Sequence, residues 1–321
     1  MLFLRFVLML MNVTSTIVMA KEREPLTYQS CGATVHMTKV PERAIAIDIN
    51  MTEIMLSLGL SARMVAIAGV EEPKQIQANL LAEFHSIPAI NTSYPSLESL
   101  MKFRPDFVFA GWQYGFSEAS GLTPKRLAKH GVASYVLSES CIRVQTKPAH
   151  SFEDVYTDIR VIGKIFAVEA RAEALIRSYR EQEQLLQSQA SRLKSRRIFL
   201  YDSGVASPFT AGRFAIPTTI IHRAKSRNIF EDVKTSWISV SWEDVIVRKP
   251  EFIIIVDYGD KNAEEKIEFL RNKLQNKGIP AIDQGHFLVM PYAAVTPGIR
   301  TIEATRLLIQ ALHKAFPAGR S

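Results

Sequence analysis

Two stretches, Gly111-Trp112-Gln113-Tyr114-Gly115-Phe116 and Ser138-Glu139-Ser140-Cys141-Ile142-Arg143, each follow an apolar run that reads as a strand. Further along, Asp202, Ser203, Phe209 and Arg213, then Trp237, then Asp257 and Tyr258, then Pro291 and Tyr292 occupy similar places. Aromatic faces stack on flat molecules, and guanidinium forks grip carboxylates and phosphates. Together these residue types suit the capture of a large, flat, partly anionic ligand.

Patterns for bond chemistry are missing. There is no Gly-x-Ser-x-Gly elbow, no Gly-x-x-x-x-Gly-Lys phosphate loop and no dinucleotide glycine fingerprint after the first strand. The seven histidines, at 36, 85, 130, 150, 222, 286 and 313, form no His-x-x-x-His pair, and the two cysteines form no Cys-x-x-Cys. A bare metal site is therefore poorly supported, and no cofactor is expected. An enzyme would need a nucleophile with a base or a closed metal site, so it ranks behind a protein that only binds.

The elements that must position these loops announce themselves by repetition. Residues 96–109 and 241–254 share one order: a serine cap, a glutamate in the first helical turn, two apolar residues, a basic residue, proline, an acid and an apolar strand. A repeated helix-to-strand unit implies two lobes of similar build. The apolar run 44–49 and a helix from Thr52 to Gly59 open the first lobe, and strands near 63–69, 107–110 and 133–137 follow. Continuous apolar strands alternating with helices predict parallel sheets covered on both faces. From Ser151, Val155, Ile159, Ile162 and Ile165 recur at helical spacing, and no glycine- or proline-rich linker intervenes. The fold class is thus α/β, with two Rossmann-like lobes joined by one rigid long helix and a ligand cleft between them. The expected divisions are a signal peptide at 1–20, an N-terminal lobe at 21–150, a connecting helix at 151–168 and a C-terminal lobe at 169–321.

Arg5 followed by an apolar stretch, with Val18-Met19-Ala20 before the charged Lys21, has the parts of a signal peptide cleaved after Ala20. Asn12, Thr14, Ser15 and Thr16 interrupt that stretch, which disfavours a membrane anchor. An exported, periplasmic protein follows. In an oxidising space two cysteines, Cys31 and Cys141, suggest one bridge, although spacing alone leaves two buried thiols open. The net charge of +7 lacks the clustering of a nucleic-acid footprint, so an anionic small ligand is the expected partner and DNA or RNA is not.

Pro41-Glu42-Arg43 leading into Ile45-Ala46-Ile47, with Thr52-Glu53 and Leu58-Gly59, resembles the opening of the helical-backbone class III substrate-binding proteins of ABC importers. Members of that class carry iron-siderophores, haem or cobalamin. The likeness extends over essentially the whole mature chain, through Ile159, Ile162-Gly163 and the stretch from Pro291-Tyr292 to Arg300. It implies that Glu98 and Glu243, one per lobe, dock into arginine pockets of the paired permease subunits in the inner membrane, with the binding protein working as a monomer. The strand-end residues Trp112, Tyr114, Arg143, Arg213, Trp237, Tyr258 and Tyr292, joined by Tyr94 and Arg300 from the likeness, make up the expected ligand set. The cobalamin binder of the class has a tryptophan six residues before each docking glutamate; here Trp237 fits, whereas Thr92, with Tyr94 nearby, stands in the other place. An anionic ferric chelate, most simply a ferric siderophore, is therefore expected ahead of cobalamin or haem. Cys31 before Gly32 and Cys141 also resemble members with a bridge inside lobe one.

Overall fold

A computed structural model describes residues 25–70, 75–90, 94–146 and 151–317. The leader at 1–20, Thr92 and His150 fall outside the described residues. Strands β1 Leu26–Ser30 and β2 Ala33–Met37 form an antiparallel hairpin that opens lobe one. The lobe's parallel sheet then takes β3 Ala44–Ile47, β4 Met64–Ala68, β5 Phe107–Trp112, a two-residue β6 Gly115–Phe116 and β7 Ala133–Val136. Its helices are α1 Ile49–Ser57, α2 Leu81–His85, α3 Leu97–Met101 and α4 Pro124–Lys129.

Helices α5 Phe152–Ile165 and α6 Glu169–Ala190 lead into lobe two. There the strands are β8 Arg197–Tyr201, β9 Phe209–Ala211, β10 Arg227–Asn228, β11 Trp237–Ser239, β12 Phe252–Asp257 and β13 Phe287–Pro291. The helices are α7 Ile216–Arg223, α8 Trp242–Arg248, α9 Ala263–Leu274, α10 Pro280–Asp283, α11 Tyr292–Val295 and α12 Thr301–Ala315. The architecture is mixed α/β with parallel-rich sheets in two lobes.

The lobes repeat each other strand for strand. Lobe one orders its sheet β4-β3-β5-β7 and lobe two β10-β8-β12-β13, all parallel. Burial on both faces explains the unbroken apolar runs: Ile45 and Ile47 enter one core while Ala44 and Ala46 enter another, and Phe199 and Tyr201 oppose Ile198 and Leu200 in the same way.

The sequence repeat forms a clasp at the end of each sheet remote from the cleft. Ser96 Oγ accepts from Ser99 N at 3.2 Å, and Ser241 Oγ accepts from Asp244 N at 3.0 Å, so both serines cap as their position demands. The residue before each proline cannot continue the helix. Arg104 and Lys249 accordingly turn left-handed, with φ of 47° and 44°. Each of their carbonyls accepts from an arginine: Arg43 Nε at 2.8 Å and Arg197 Nε at 2.9 Å. The acid of the repeat completes the clasp, Asp106 accepting from Arg43 N at 2.9 Å and Glu251 from Arg197 N at 3.0 Å.

The crossing between lobes differs from the expected division at 151–168. Ser151 and Asp154 form a capping box, and α5 begins as the pattern predicts. It then ends at Ile165, Ala167 turns left-handed at φ 58°, and α6 doubles back against it. Gly163 permits the approach, since a Cβ there would lie 2.5 Å from the Ala172 methyl. The helix that crosses is α6, about 33 Å long at 1.5 Å per residue. Near its start Arg171 donates to Leu58 O of lobe one at 2.7 Å; beyond its end Ser191 O accepts from Lys225 of lobe two at 2.8 Å. The break at Ala167 falls beside the expected end of the connecting helix at 168; the pattern did not show that the helix after the break, and not α5, spans the lobes.

Candidate functional site

In each lobe one central strand, β3 or β8, runs into a buried aspartate. After β3, Asp48 takes the unusual backbone angles φ 78° and ψ 158° and caps α1, its Oδ1 accepting from Ile49 N at 2.6 Å. Helix α1 thus begins earlier than Thr52, where the sequence pattern placed its cap. A non-glycine residue in this conformation stores about 1–3 kcal/mol, which the surroundings must overcome. The other oxygen does so in part: Asp48 Oδ2 accepts from the hydroxyl of Tyr94 and, across the cleft, from that of Tyr292 at 3.1 Å. Gly69 makes room for the Tyr94 ring, because a Cβ there would come within 2.6 Å of it.

In lobe two Asp202 occupies the corresponding place after β8. Its Oδ2 accepts from Tyr258 OH at 2.6 Å and from Ser203 Oγ at 2.8 Å. The Tyr258 and Tyr292 rings lie 4.9 Å apart. Beneath them the buried Lys266 ammonium donates to three carbonyls at strand ends, Asp202 and Val256 at 2.7 Å and Tyr258 at 3.0 Å. Trp237, on β11, stacks on Phe209 of β9 with centroids 5.7 Å apart and planes 19° from parallel, and it meets Tyr114 of lobe one.

Burial governs the electrostatics. It pushes the hydroxyls of Tyr94, Tyr114 and Tyr292 well above the ordinary phenol value, and the negative charge of Asp48 pushes them further. At neutral pH these tyrosines are therefore protonated, able to donate hydrogen bonds. Burial raises the Asp202 carboxyl as well, opposed by bonds from Tyr258 and Ser203 and by the charge of Lys266. The Lys266 ammonium is lowered by burial, against the pull of Asp202 and Asp257.

Five of the expected ligand residues, Tyr94, Tyr114, Trp237, Tyr258 and Tyr292, come together here. Arg300 does not join them: its guanidinium is bound to Glu53 of lobe one, with side chains 9% and 1% exposed, and also donates to Gln75 O. Burial raises the Glu53 carboxyl while Arg300 opposes the rise. With Asn50 Nδ2 donating to Pro297 O at 2.8 Å and Gln75 Nε2 to Asp257 O at 3.0 Å, this pair bolts the lobes together. Arg213 lies exposed on lobe two and donates to Glu231 O at 2.8 Å. Trp112 turns into a separate pocket of about 670 Å³ beside the β1–β2 hairpin and α4. Arg143 sits at the rim of the cleft. Strand ends were readable from sequence, but the side of the sheet on which each following residue emerges was not.

Asp48, Glu53 and Lys266 were missed. A signal for the aspartates existed: Arg43-Ala44-Ile45-Ala46-Ile47-Asp48 and Arg197-Ile198-Phe199-Leu200-Tyr201-Asp202 are a second matching pair, each an arginine, four apolar or aromatic residues and an acid. Cys31 and Cys141 form a disulfide that ties the turn of the first hairpin to the segment after β7. Glu98 and Glu243 are exposed in the first turns of α3 and α8.

Residues 45–294 match the periplasmic binding protein family. The chain belongs to that family. Among similar proteins, a vitamin B12-binding protein of Pectobacterium atrosepticum is 24% identical over 229 residues, 70% of this chain and 75% of its own. A periplasmic binding protein from Veillonella parvula superposes with a TM-score of 0.79 at 29% identity, covering 90% of this chain and 98% of that one. A protein described as an ABC-type Fe3+-hydroxamate transport system, from Saccharomonospora viridis, gives 0.78 at 22% identity, covering 92% and 100%; this likeness speaks to the fold. The binding protein is thus of the class III siderophore, haem and B12 type, whose members work with ABC importer permeases. Among the described residues of this binding protein, no group of three or more His, Cys, Asp or Glu could hold a metal ion, and no helix is long and apolar enough to cross a membrane.

Proposed function

We propose that this periplasmic binding protein captures a ferric siderophore between its lobes and delivers it to an inner-membrane importer, with Glu98 and Glu243 as the docking carboxylates. The observation that carries the reading is the tyrosine-lined cleft: Tyr94, Tyr114, Tyr258 and Tyr292 surround the space between Asp48 and Asp202, with one tryptophan, Trp237, on one wall. Their rings offer flat faces to a ferric chelate, and the hydroxyl protons of Tyr94, Tyr258 and Tyr292, already given to Asp48 and Asp202, hold those faces in place. Selectivity would arise from differences of affinity, and no bond of the ligand is broken.

Cobalamin or haem is the second reading, favoured by the vitamin B12-binding relative and by Trp237. Fluorescence titration separates the two, because Trp237 sits in the cleft and a bound chromophore quenches it. Ferric hydroxamate and ferric citrate should quench at micromolar concentration or below, with cyanocobalamin and haemin at least tenfold weaker. Tighter binding of cyanocobalamin or haemin would overturn the siderophore reading in favour of the second.

A further inference from the structure

The arginines of this protein are mostly committed. Arg160, Arg180, Arg196, Arg223, Arg248 and Arg300 each hold a carboxylate, and Arg213 holds a carbonyl. At one flank of the cleft two cations stand otherwise. Arg143 of lobe one and Lys234 of lobe two face a common pocket of about 550 Å³, and neither makes an ion pair among the described residues. The remaining lining is neutral: Gln113, Ile142, Gln145 and Thr146 from lobe one, Phe214, Thr235 and Ser236 from lobe two. The acid nearest in sequence to Arg143, Glu139, is buried behind the wall and accepts from Ser236 of the other lobe. The pocket borders the tyrosine cleft: its residues Gln113 and Ser236 are the chain neighbours of Tyr114 and Trp237, and the Arg143 charge is felt at the Tyr114 hydroxyl.

We infer that this pocket is an anion subsite, receiving a carboxylate or similarly charged arm of the ligand whose body lies against Tyr114 and Trp237. The inference rests on the chelate reading above and sharpens it: with Arg300 bolted to Glu53 and Arg213 turned away, the pair Arg143 and Lys234 carries the preference for anions. Two like charges brought together from opposite lobes repel one another when the pocket is empty, and an anion between them removes that repulsion.

The test compares wild type with the surface variant R143Q/K234Q on three probes: ferric citrate, which is anionic; ferrichrome, a neutral ferric hydroxamate; and free citrate, measured by calorimetry. The variant should lower the affinity for ferric citrate relative to ferrichrome about tenfold or more. Equal losses for both chelates, unchanged ferric citrate affinity, or no binding of either anionic probe to wild type would overturn the subsite. If wild type binds neither chelate, the chelate reading fails on its own; free citrate that binds wild type and not the variant would then still support the subsite.

Discussion

The lobes share strand order, strand register and an arginine clasp, yet they secure their cleft ends by different means. In lobe one a disulfide, Cys31 to Cys141, fastens the first hairpin to the segment after β7. Lobe two has no cysteine, and its strand ends are gathered by the Lys266 ammonium on three carbonyls. The aspartates differ in the same spirit: Asp202 serves a tyrosine of its own lobe, whereas Asp48 serves one from each. Repetition thus preserved the frame that folds each lobe, while the cleft-facing positions were free to diverge. A frame depends on backbone geometry, which many sequences satisfy; a site depends on particular side chains.

The largest expected effect tests the feature that the lobes share. Alanine at both Glu98 and Glu243 should abolish importer-dependent uptake in cells and leave ligand affinity unchanged in vitro, because both carboxylates are exposed and outside the cleft. A collapse of affinity would show that the two positions are not docking points.

Next comes the bolt between lobes. R300M leaves Glu53 buried without its counter-charge and should destabilise the protein by about 3–5 kcal/mol in urea denaturation. The double variant E53Q/R300M should recover a substantial part of that loss. Failure to recover any would mean that Arg300 acts mainly through Gln75 O.

The disulfide tests the contrast directly. C31S/C141S should cost about 2–5 kcal/mol, and hydrogen exchange should quicken at lobe-one amides around β1, β2 and β7 while lobe two stays as protected as before. Exchange that quickens equally in both lobes would erase the distinction between their fastenings.

The smallest effect concerns the clasp. Burial pushes the Glu251 carboxyl up, but the Arg197 backbone N–H and the Arg196 and Arg197 guanidiniums outweigh it and hold the group below its ordinary 4.5. A depressed carboxylate contributes stability above its unfolded value and loses it as pH falls through the folded one. E251Q should therefore lower Tm by a few degrees at pH 7, with the gap to wild type closing below about pH 4. A gap that persists at pH 3 would point to packing in place of charge.

Much of the frame was legible in the residues. Serine, glutamate, a basic residue and proline at fixed intervals specify a capped helix that must stop, and an apolar run beyond it specifies a buried strand. The same logic found Tyr258 and Tyr292, since a residue following a parallel strand emerges at the cleft end. It did not show that Trp112 turns into a separate pocket or that the Arg213 guanidinium goes to Glu231 O, because the side of the sheet on which a residue emerges is set by the fold. It also passed over Asp48, because a left-handed aspartate after a strand carries no local signature apart from its likeness to Asp202.

By itself the sequence determined two α/β lobes, a two-copy carboxylate at their helix tips and an aromatic wall at their strand ends, since propensity, capping and periodicity act between near neighbours. Only the tertiary structure decided which arginine is a bolt and which lines an open pocket. A guanidinium goes to whichever carboxylate or carbonyl the fold brings within about 3 Å. For Arg300 that partner is Glu53 of the other lobe; for Arg143 the fold leaves the space open.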